Sequence, residues 1–134
     1  MNGDRAGTTG RILLVEDDPG LAQMYTIKLQ ADGFSVSVAP DGEAAVHMAT
    51  ASPPDLVFLD IRLPRMDGLT VLQVLREQEA TRDLPVVMLS AYGEDDLRAR
   101  ALTLGALEYL VKSEITPGAL SQRASHWLAE PAAS

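Results

Sequence analysis

Several features that define other protein classes are missing from this sequence. It has no cysteine, so it can form neither disulfide bonds nor a zinc site with thiolate ligands. No apolar run approaches the roughly 20 residues that a membrane-spanning helix needs, and we expect no membrane insertion. Residues 1–10 lack the apolar centre of a signal peptide, which favours a cytoplasmic location.

Positive charge is also scarce. The 134 residues carry a formal net charge of −8 at pH 7. Because a field of this sign repels phosphate backbones, we expect no direct binding to nucleic acid. Only two lysines are present, Lys28 and Lys112. Lys112 stands at the end of an apolar run that is typical of a buried strand, an uncommon place for a cation.

Four short apolar runs each end at a polar side chain. They cover residues 12–15, 56–59, 86–89 and 109–111, and such runs are typical of strands buried on both faces of a parallel sheet. The polar residues that follow them are Glu16, Asp17, Asp60, Ser90 and Lys112. The carboxyl ends of parallel strands lie along one edge of a sheet, where ligands bind. We therefore expect three acids, one hydroxyl and one ammonium to converge in one crevice.

Helical segments alternate with these runs. Asp18-Pro19 and Thr116-Pro117 each place a capping residue before a proline at the first helical position, and Gly33 is typical of a helix end. The first helix is expected to bury Leu21, Met24, Tyr25 and Leu29. A further strand over residues 34–39 alternates apolar residues with serine, as strands near a sheet edge do.

Five strands alternating with five helices predict an α/β fold. The expected architecture is a (βα)5 doubly wound, five-stranded parallel sheet. We expect a flexible lead-in over residues 1–10, one domain over 11–129 and a short tail over 130–134. The ending of the sequence just beyond the fifth helix favours a chain without an output domain, although a fragment of a longer protein would look the same.

Grouping Glu16, Asp17 and Asp60 at one edge has an electrostatic cost. Two carboxylates about 4 Å apart repel by roughly 4 kcal/mol at an effective dielectric constant of about 20. Either a cation neutralises them or their pKa values rise. Oxygen ligands without histidine or cysteine favour Mg²⁺ over zinc. An ion with open coordination positions could then accept a phosphoryl oxygen.

These motifs, taken in order, resemble the receiver domains of two-component response regulators, which are CheY-like and have a flavodoxin-like fold. The resemblance runs from about residue 11 to 128. It rests on residues 14–18 and 60–68, on Ser90-Ala91 and Gly105-Ala106, and on residues 108–112. Any one of these motifs is weak evidence, whereas the full set on matching strand ends is specific.

The resemblance implies a phosphorelay function. Asp60 would accept a phosphoryl group from a histidine kinase or a phosphotransfer protein. Asp17 would bind Mg²⁺ directly, Glu16 would bind it through water, and the backbone carbonyl of Arg62 would add a ligand.

The resemblance also implies a phosphate-dependent switch. Lys112 and Ser90 would contact phosphoryl oxygens, and Ser90 and Tyr109 would couple phosphorylation to output. Movement of Ser90 would vacate space into which Tyr109 can turn. The sequence departs from the family at Ser113, where relatives usually carry a proline that often follows a cis bond, so the geometry of the Lys112–Ser113 bond is an open question.

Three alternatives remain beside a stand-alone phosphoacceptor that signals to an unknown downstream protein. The chain could be a pseudo-receiver that binds partners without phosphorylation. It could be the receiver fragment of a larger regulator, with or without a DNA-binding domain, or of a hybrid kinase. A hydrolase with Asp60 as nucleophile would need a second aspartate two residues later, where Arg62 stands. We therefore expect no enzyme, and only self-catalysed phosphotransfer and dephosphorylation.

Overall fold

A computed structural model describes residues 10–129 and contains a five-stranded sheet. The strands are β1 (Arg11–Val15), β2 (Ser35–Ala39), β3 (Leu56–Asp60), β4 (Val86–Ser90) and β5 (Glu108–Val111). Every neighbouring pair is parallel, and the order across the sheet is β2-β1-β3-β4-β5. The sheet therefore has β3 at its centre and β2 and β5 at its edges, and the predicted α/β fold is confirmed.

Helices cover both faces of this sheet. They are α1 (Pro19–Ala31), α2 (Gly42–Ala51), α3 (Gly68–Glu77), α4 (Asp95–Thr103) and α5 (Pro117–Leu128), and a short 3₁₀ helix spans Lys112–Glu114. Helices α1 and α5 pack against one face, whereas α2, α3 and α4 pack against the other. Every residue of β3 and β4 is buried, as expected of strands covered on both sides.

The predicted capping residues hold their helices in the expected way. The Asp18 carboxylate accepts hydrogen bonds from the backbone N–H groups of Gly20 and Leu21. The Thr116 hydroxyl accepts one from Ala119 at 3.0 Å. These bonds satisfy N–H groups that have no partner within a helix, and they fix where the chain leaves the strands that carry the polar residues.

One predicted core residue of α1 lies at the surface. Met24 is 50% exposed, whereas Ala22, Tyr25 and Leu29 are buried. The buried stripe follows the positions three and four residues apart, and Met24 precedes Tyr25 by one residue, about 100° around the helix. The predicted helix is confirmed, whereas Met24 lies outside its buried stripe.

Helix α5 is attached to the edge strand β5 by a group that we call the Glu108 cluster: Glu108, Arg123 and Trp127. One Glu108 oxygen accepts hydrogen bonds from Arg123 Nε at 2.9 Å and from Arg123 Nη2 at 2.7 Å. The Trp127 indole N–H donates to the same oxygen. The cluster therefore places three donors on one carboxylate oxygen.

The predicted lead-in and tail lie outside the described residues, apart from Gly10. Within the described residues, no helix is long and apolar enough to cross a membrane.

Candidate functional site

The carboxyl ends of β1, β3 and β5 bring three charged side chains into contact. The Lys112 ammonium lies 2.7 Å from Glu16 Oε1 and 2.6 Å from Asp60 Oδ2. Glu16 is 2% exposed and Asp60 is 3% exposed, so both carboxylates are removed from bulk water. The sequence placed these residues at strand ends, and the parallel sheet brings them together.

The backbone orients the remaining oxygens of the two buried acids. Glu16 Oε2 accepts a hydrogen bond from the Asp18 N–H at 3.1 Å, and Asp60 Oδ1 accepts one from the Arg62 N–H at 3.3 Å. In both cases the donor lies two residues after the acid, where the chain turns away from its strand. Each carboxylate is thus fixed at one oxygen by its own loop and at the other by Lys112.

Glycine at position 68 allows the loop after β3 to fold back closely. A Cβ atom at Gly68 would lie 2.1 Å from the carbonyl oxygen of Asp60, a distance that no side chain tolerates. The Gly68 N–H also donates to the Ile61 carbonyl at 2.7 Å. The Asp67-Gly68 pair in the sequence therefore combines the cap of α3, through Asp67, with a close approach to the end of β3.

Asp17 completes an acidic centre, a name that we use for Glu16, Asp17 and Asp60 together with Lys112. One carboxylate oxygen from each of the three acids lies within 4.8 Å of the others, and Asp17 is exposed. Lys112 balances only one of the three negative charges. Oxygen ligands and this surplus of charge suit Mg²⁺, so the acidic centre fits the magnesium site of a receiver domain.

Burial and mutual charge shift the pKa values within the acidic centre. Burial raises the pKa of Glu16, and the charge of Asp60 adds to this effect, while hydrogen bonding to Lys112 opposes it. Burial lowers the pKa of Lys112, but its hydrogen bonds to Asp60 and Glu16 outweigh this effect, and the net shift is upward. The ammonium is therefore held in its charged form beside the two acids.

Tyr25 lies near the acidic centre, a position that sequence reasoning did not assign to it. The side chain is 2% exposed. Burial raises the pKa of its phenol, and the charges of Lys112, Glu16 and Asp60 all affect that pKa. In the sequence, Tyr25 occupies an apolar position of α1. Its hydroxyl is the only feature that could have indicated a position near polar groups.

Ser90 and Tyr109 both bind the backbone of Tyr92. The Ser90 hydroxyl accepts a hydrogen bond from the Tyr92 N–H at 3.2 Å, and the Tyr109 hydroxyl donates to the Tyr92 carbonyl at 2.9 Å. Tyr109 is 5% exposed, so its ring already lies inside the protein. The two residues are thus connected through one shared neighbour.

Two arginines lie against the tyrosines of this region. The Arg98 guanidinium lies 4.9 Å from the centre of the Tyr109 ring and donates to the Tyr109 carbonyl at 3.3 Å. The Arg62 guanidinium lies 5.6 Å from the centre of the Tyr92 ring. These contacts join α4 to β5, and the loop after β3 to the loop after β4, and nothing in the spacing of the sequence indicated them.

The departure at Ser113 has a simple structural outcome. The described residues contain no cis peptide bond, so the Lys112–Ser113 bond is trans. The chain enters the 3₁₀ helix at Lys112, and the Lys112 side chain still reaches both buried acids. The predicted ligand role of the Arg62 carbonyl stays a prediction.

Comparisons with known proteins agree with this geometry. The sequence model of the response regulator receiver domain matches residues 12–125. The DNA-binding dual master transcriptional regulator RpaA of Synechocystis is 41% identical over 102 residues, which are 76% of this chain and 42% of RpaA. The chain spans less than half the length of the curated relatives that it matches.

Solved structures of similar chains have the same fold. A response regulator from Chloroflexus aurantiacus is 32% identical, with a TM-score of 0.82 over 90% of this chain and 98% of that one. The receiver domain of the Pseudomonas aeruginosa sensor histidine kinase PA1611 is 30% identical, with a TM-score of 0.81 over the same shares. That structure is described with a magnesium ion in the active site cleft. From the match along the sequence and the agreement in fold, the chain belongs to the response regulator receiver domains of two-component systems.

Proposed function

We propose that Asp60 accepts a phosphoryl group from the phosphohistidine of a histidine kinase or a phosphotransfer protein. The observation that carries this proposal is the contact between Asp60 and Lys112, whose charged atoms lie 2.6 Å apart at the end of the central strand. A buried carboxylate that pairs with an ammonium at the carboxyl end of a parallel sheet is typical of a functional site. We also propose that the protein acts in the cytoplasm.

The transfer exchanges one bond to phosphorus for another. An oxygen of the Asp60 carboxylate attacks the phosphorus, the bond between phosphorus and the donor imidazole nitrogen breaks, and that nitrogen leaves with the electron pair. The product on Asp60 is an acyl phosphate whose phosphoryl group carries about −1.5 to −2 charge units, which replaces the single negative charge of the carboxylate. Lys112 lies where it can pair with one phosphoryl oxygen, and Ser90, which accepts the Tyr92 N–H, retains its own proton to donate to another.

The acidic centre would hold Mg²⁺ through Asp17 and Asp60, with Glu16 behind a water molecule and the Arg62 carbonyl as a further ligand. When bound, the ion supplies positive charge against the phosphoryl oxygens. Arg62 occupies the position where a phosphatase of this type needs an acid, and a guanidinium cannot act as one because it stays protonated. The chain therefore accepts a phosphoryl group on Asp60 and does not act as a phosphatase on other substrates.

Phosphorylation of Asp60 changes the protein surface through the contacts among Ser90, Tyr92 and Tyr109. If Ser90 turns toward a phosphoryl oxygen, its bond to the Tyr92 N–H is strained, and the Tyr92 carbonyl that holds the Tyr109 hydroxyl shifts with it. The surface affected consists of α4, β5 and α5, and we propose that an unidentified downstream protein binds there. This face lies on a chain of net charge −8, which disfavours direct contact with nucleic acid.

Replacement of the acceptor tests the proposal. Asp60→Asn is expected to abolish hydroxylamine-sensitive phosphorylation, because an amide oxygen is a poor nucleophile, while the fold is retained. The measurement is the intact mass after treatment with acetyl phosphate and Mg²⁺. Asp83→Asn, at an exposed position, is the matched control and should accept phosphate. Phosphate retained on the Asp60 variant would contradict the assignment.

Removal of the Ser90 hydroxyl tests the coupling. Ser90→Ala is expected to accept phosphate but to leave the surface around Tyr109 unchanged, because the bond to Tyr92 is gone. Chemical-shift mapping with and without beryllofluoride measures this, and Ser113→Ala, at an exposed position, is the control. If the wild-type shifts stay in the loops around Asp60 and never reach Tyr109 or α5, the proposed coupling is wrong.

A further inference from the structure

We propose that a groove between α3 and α4 binds an amphipathic segment of a partner protein that combines apolar side chains with a carboxylate. The groove, which we call the α3–α4 groove, lies beside the loop after β3 and uses the side of α4 that faces α3, whereas the α4–β5–α5 surface uses the side toward β5. It requires no phosphate transfer, so the proposal goes beyond the phosphoacceptor function.

The α3–α4 groove is long and continuous. A cavity of about 600 Å³ is bounded by Ile61, Leu69 and Gln73 on one side and by Leu97, Arg100 and Leu104 on the other. A second cavity of about 300 Å³ shares Gln73, Arg100 and Leu104 with it. The two cavities therefore adjoin along α4. Positions 97 and 100 are three residues apart and lie on one face of α4, and Leu104 directly follows the last residue of this helix.

The floor of the groove is apolar and incompletely covered. Ile61 and Leu69 are buried, whereas Leu97 and Leu104 are only partly buried. Helix α4 has one fully buried residue, Ala101, and so packs loosely on the rest of the domain. Apolar surface on Leu97 and Leu104 consequently stays open to a ligand that could remove it from water.

Two arginines and two acids line the groove, and one of the arginines can bind a carboxylate. In the part of the chain that the structure describes, no carboxylate lies within 4.0 Å of the Arg100 guanidinium. Arg62, at the other end, lies 3.9 Å from Glu94, and Asp67 uses a carboxylate oxygen to cap α3. Arg100 is therefore the cation available over the groove, and a guanidinium binds carboxylates through two parallel hydrogen bonds.

The length of the groove favours a peptide segment as its occupant. Helix α4 has nine residues, and a rise of 1.5 Å per residue makes it about 13 Å long. This is the length of two to three turns of a helix laid between α3 and α4, with apolar residues at helical spacing on the floor and an acid toward Arg100. Such helix-in-groove binding is a common mode of peptide recognition.

A displayed library of random peptides, selected against the full chain, tests the proposal. We expect enriched peptides to repeat leucine or phenylalanine at helical spacing beside an aspartate or glutamate. Arg100→Glu should weaken their binding by about tenfold or more, because it places like charges together. Peptides in which lysine replaces the acid should regain affinity for the Arg100→Glu variant.

Two further variants locate the binding. Thr70→Trp fills the groove from the exposed side of α3 and should prevent binding, whereas Arg82→Glu, which lies outside the groove, should leave it unchanged. Circular dichroism confirms that each variant is folded. The proposal is overturned if no peptide is enriched, if binding survives both Arg100→Glu and Thr70→Trp, or if amide shifts on binding map to β5 and α5 instead.

Discussion

The acidic centre and the Glu108 cluster both pair carboxylates with cations, and they differ in the balance between the two. In the Glu108 cluster, one carboxylate oxygen receives three N–H donors from Arg123 and Trp127. In the acidic centre, Glu16 and Asp60 share the single ammonium of Lys112, and Asp17 adds a third negative charge. Donors are in excess in the first group, and acceptors are in excess in the second.

This difference separates a structural contact from a binding site. The Glu108 carboxylate has the partners that it needs, and they all come from α5, so the cluster fixes a helix to an edge strand. The acidic centre has fewer cations than carboxylates. Part of its negative charge is therefore not neutralised within the protein and can attract a cation from solution.

The strongest test of this comparison removes the shared ammonium. Lys112→Met should destabilise the protein by about 3 kcal/mol without Mg²⁺, because it leaves two buried carboxylates with no cation. Mg²⁺ should restore more stability to this variant than to the wild type. Thermal unfolding with and without Mg²⁺ measures both effects. Lys28→Met is the control, since Lys28 forms an exposed pair with Asp32. Equal stability of the two variants would contradict the comparison.

The metal response should depend on Asp17. Mg²⁺ is expected to stabilise the wild type by about 2.7 kcal/mol at a hundredfold excess over its Kd. Asp17→Asn should abolish this gain and raise the stability of the metal-free protein, because one repelling charge is lost. The control is Asp18→Asn, since asparagine also caps helices and Asp18 is not part of the acidic centre. Equal melting shifts in wild type and Asp17→Asn would place the metal elsewhere.

The smallest effect is expected in the Glu108 cluster. Glu108→Gln keeps an acceptor oxygen but loses the charge that pairs with Arg123, a side chain that is 36% exposed. We expect a loss of about 1 kcal/mol and no change in the response to Mg²⁺. Urea unfolding measures the first result, with Glu114→Gln, at an exposed position, as the control. A changed Mg²⁺ response would mean that the two groups are coupled through β5.

The sequence predicted the acidic centre because a single topological rule determines its assembly. Once the apolar runs are assigned to parallel strands, residues such as Asp60 and Lys112 must meet at one sheet edge, even though 52 positions separate them. The helix caps were predictable for a related reason, since they depend on neighbours within three residues. Both inferences use only the backbone and the order of the elements.

Contacts that depend on side-chain packing between elements could not be predicted in this way. Arg98 reaches the Tyr109 ring only because α4 lies at a particular angle over β5, and Arg123 meets Glu108 only when α5 is in place. Long side chains have many rotamers, and the sequence does not select among them before the elements are packed. The exposure of Met24 has the same origin, because a shift of one residue along α1 changes which side of the helix packs against the sheet.

The order of the strands along the chain also places the members of the acidic centre in two separate parts of the sequence. Glu16 and Asp17 precede Pro53, an exposed position in the turn between α2 and β3, whereas Asp60 and Lys112 follow it. A break of the chain at Pro53 would give two fragments, neither of which holds the complete set of acids and the ammonium. Because β1 must pair with β3 to rebuild the sheet, recovery of the proposed metal binding would report fragment complementation directly. The same topology that assembles the site thus makes the domain suitable as a split reporter.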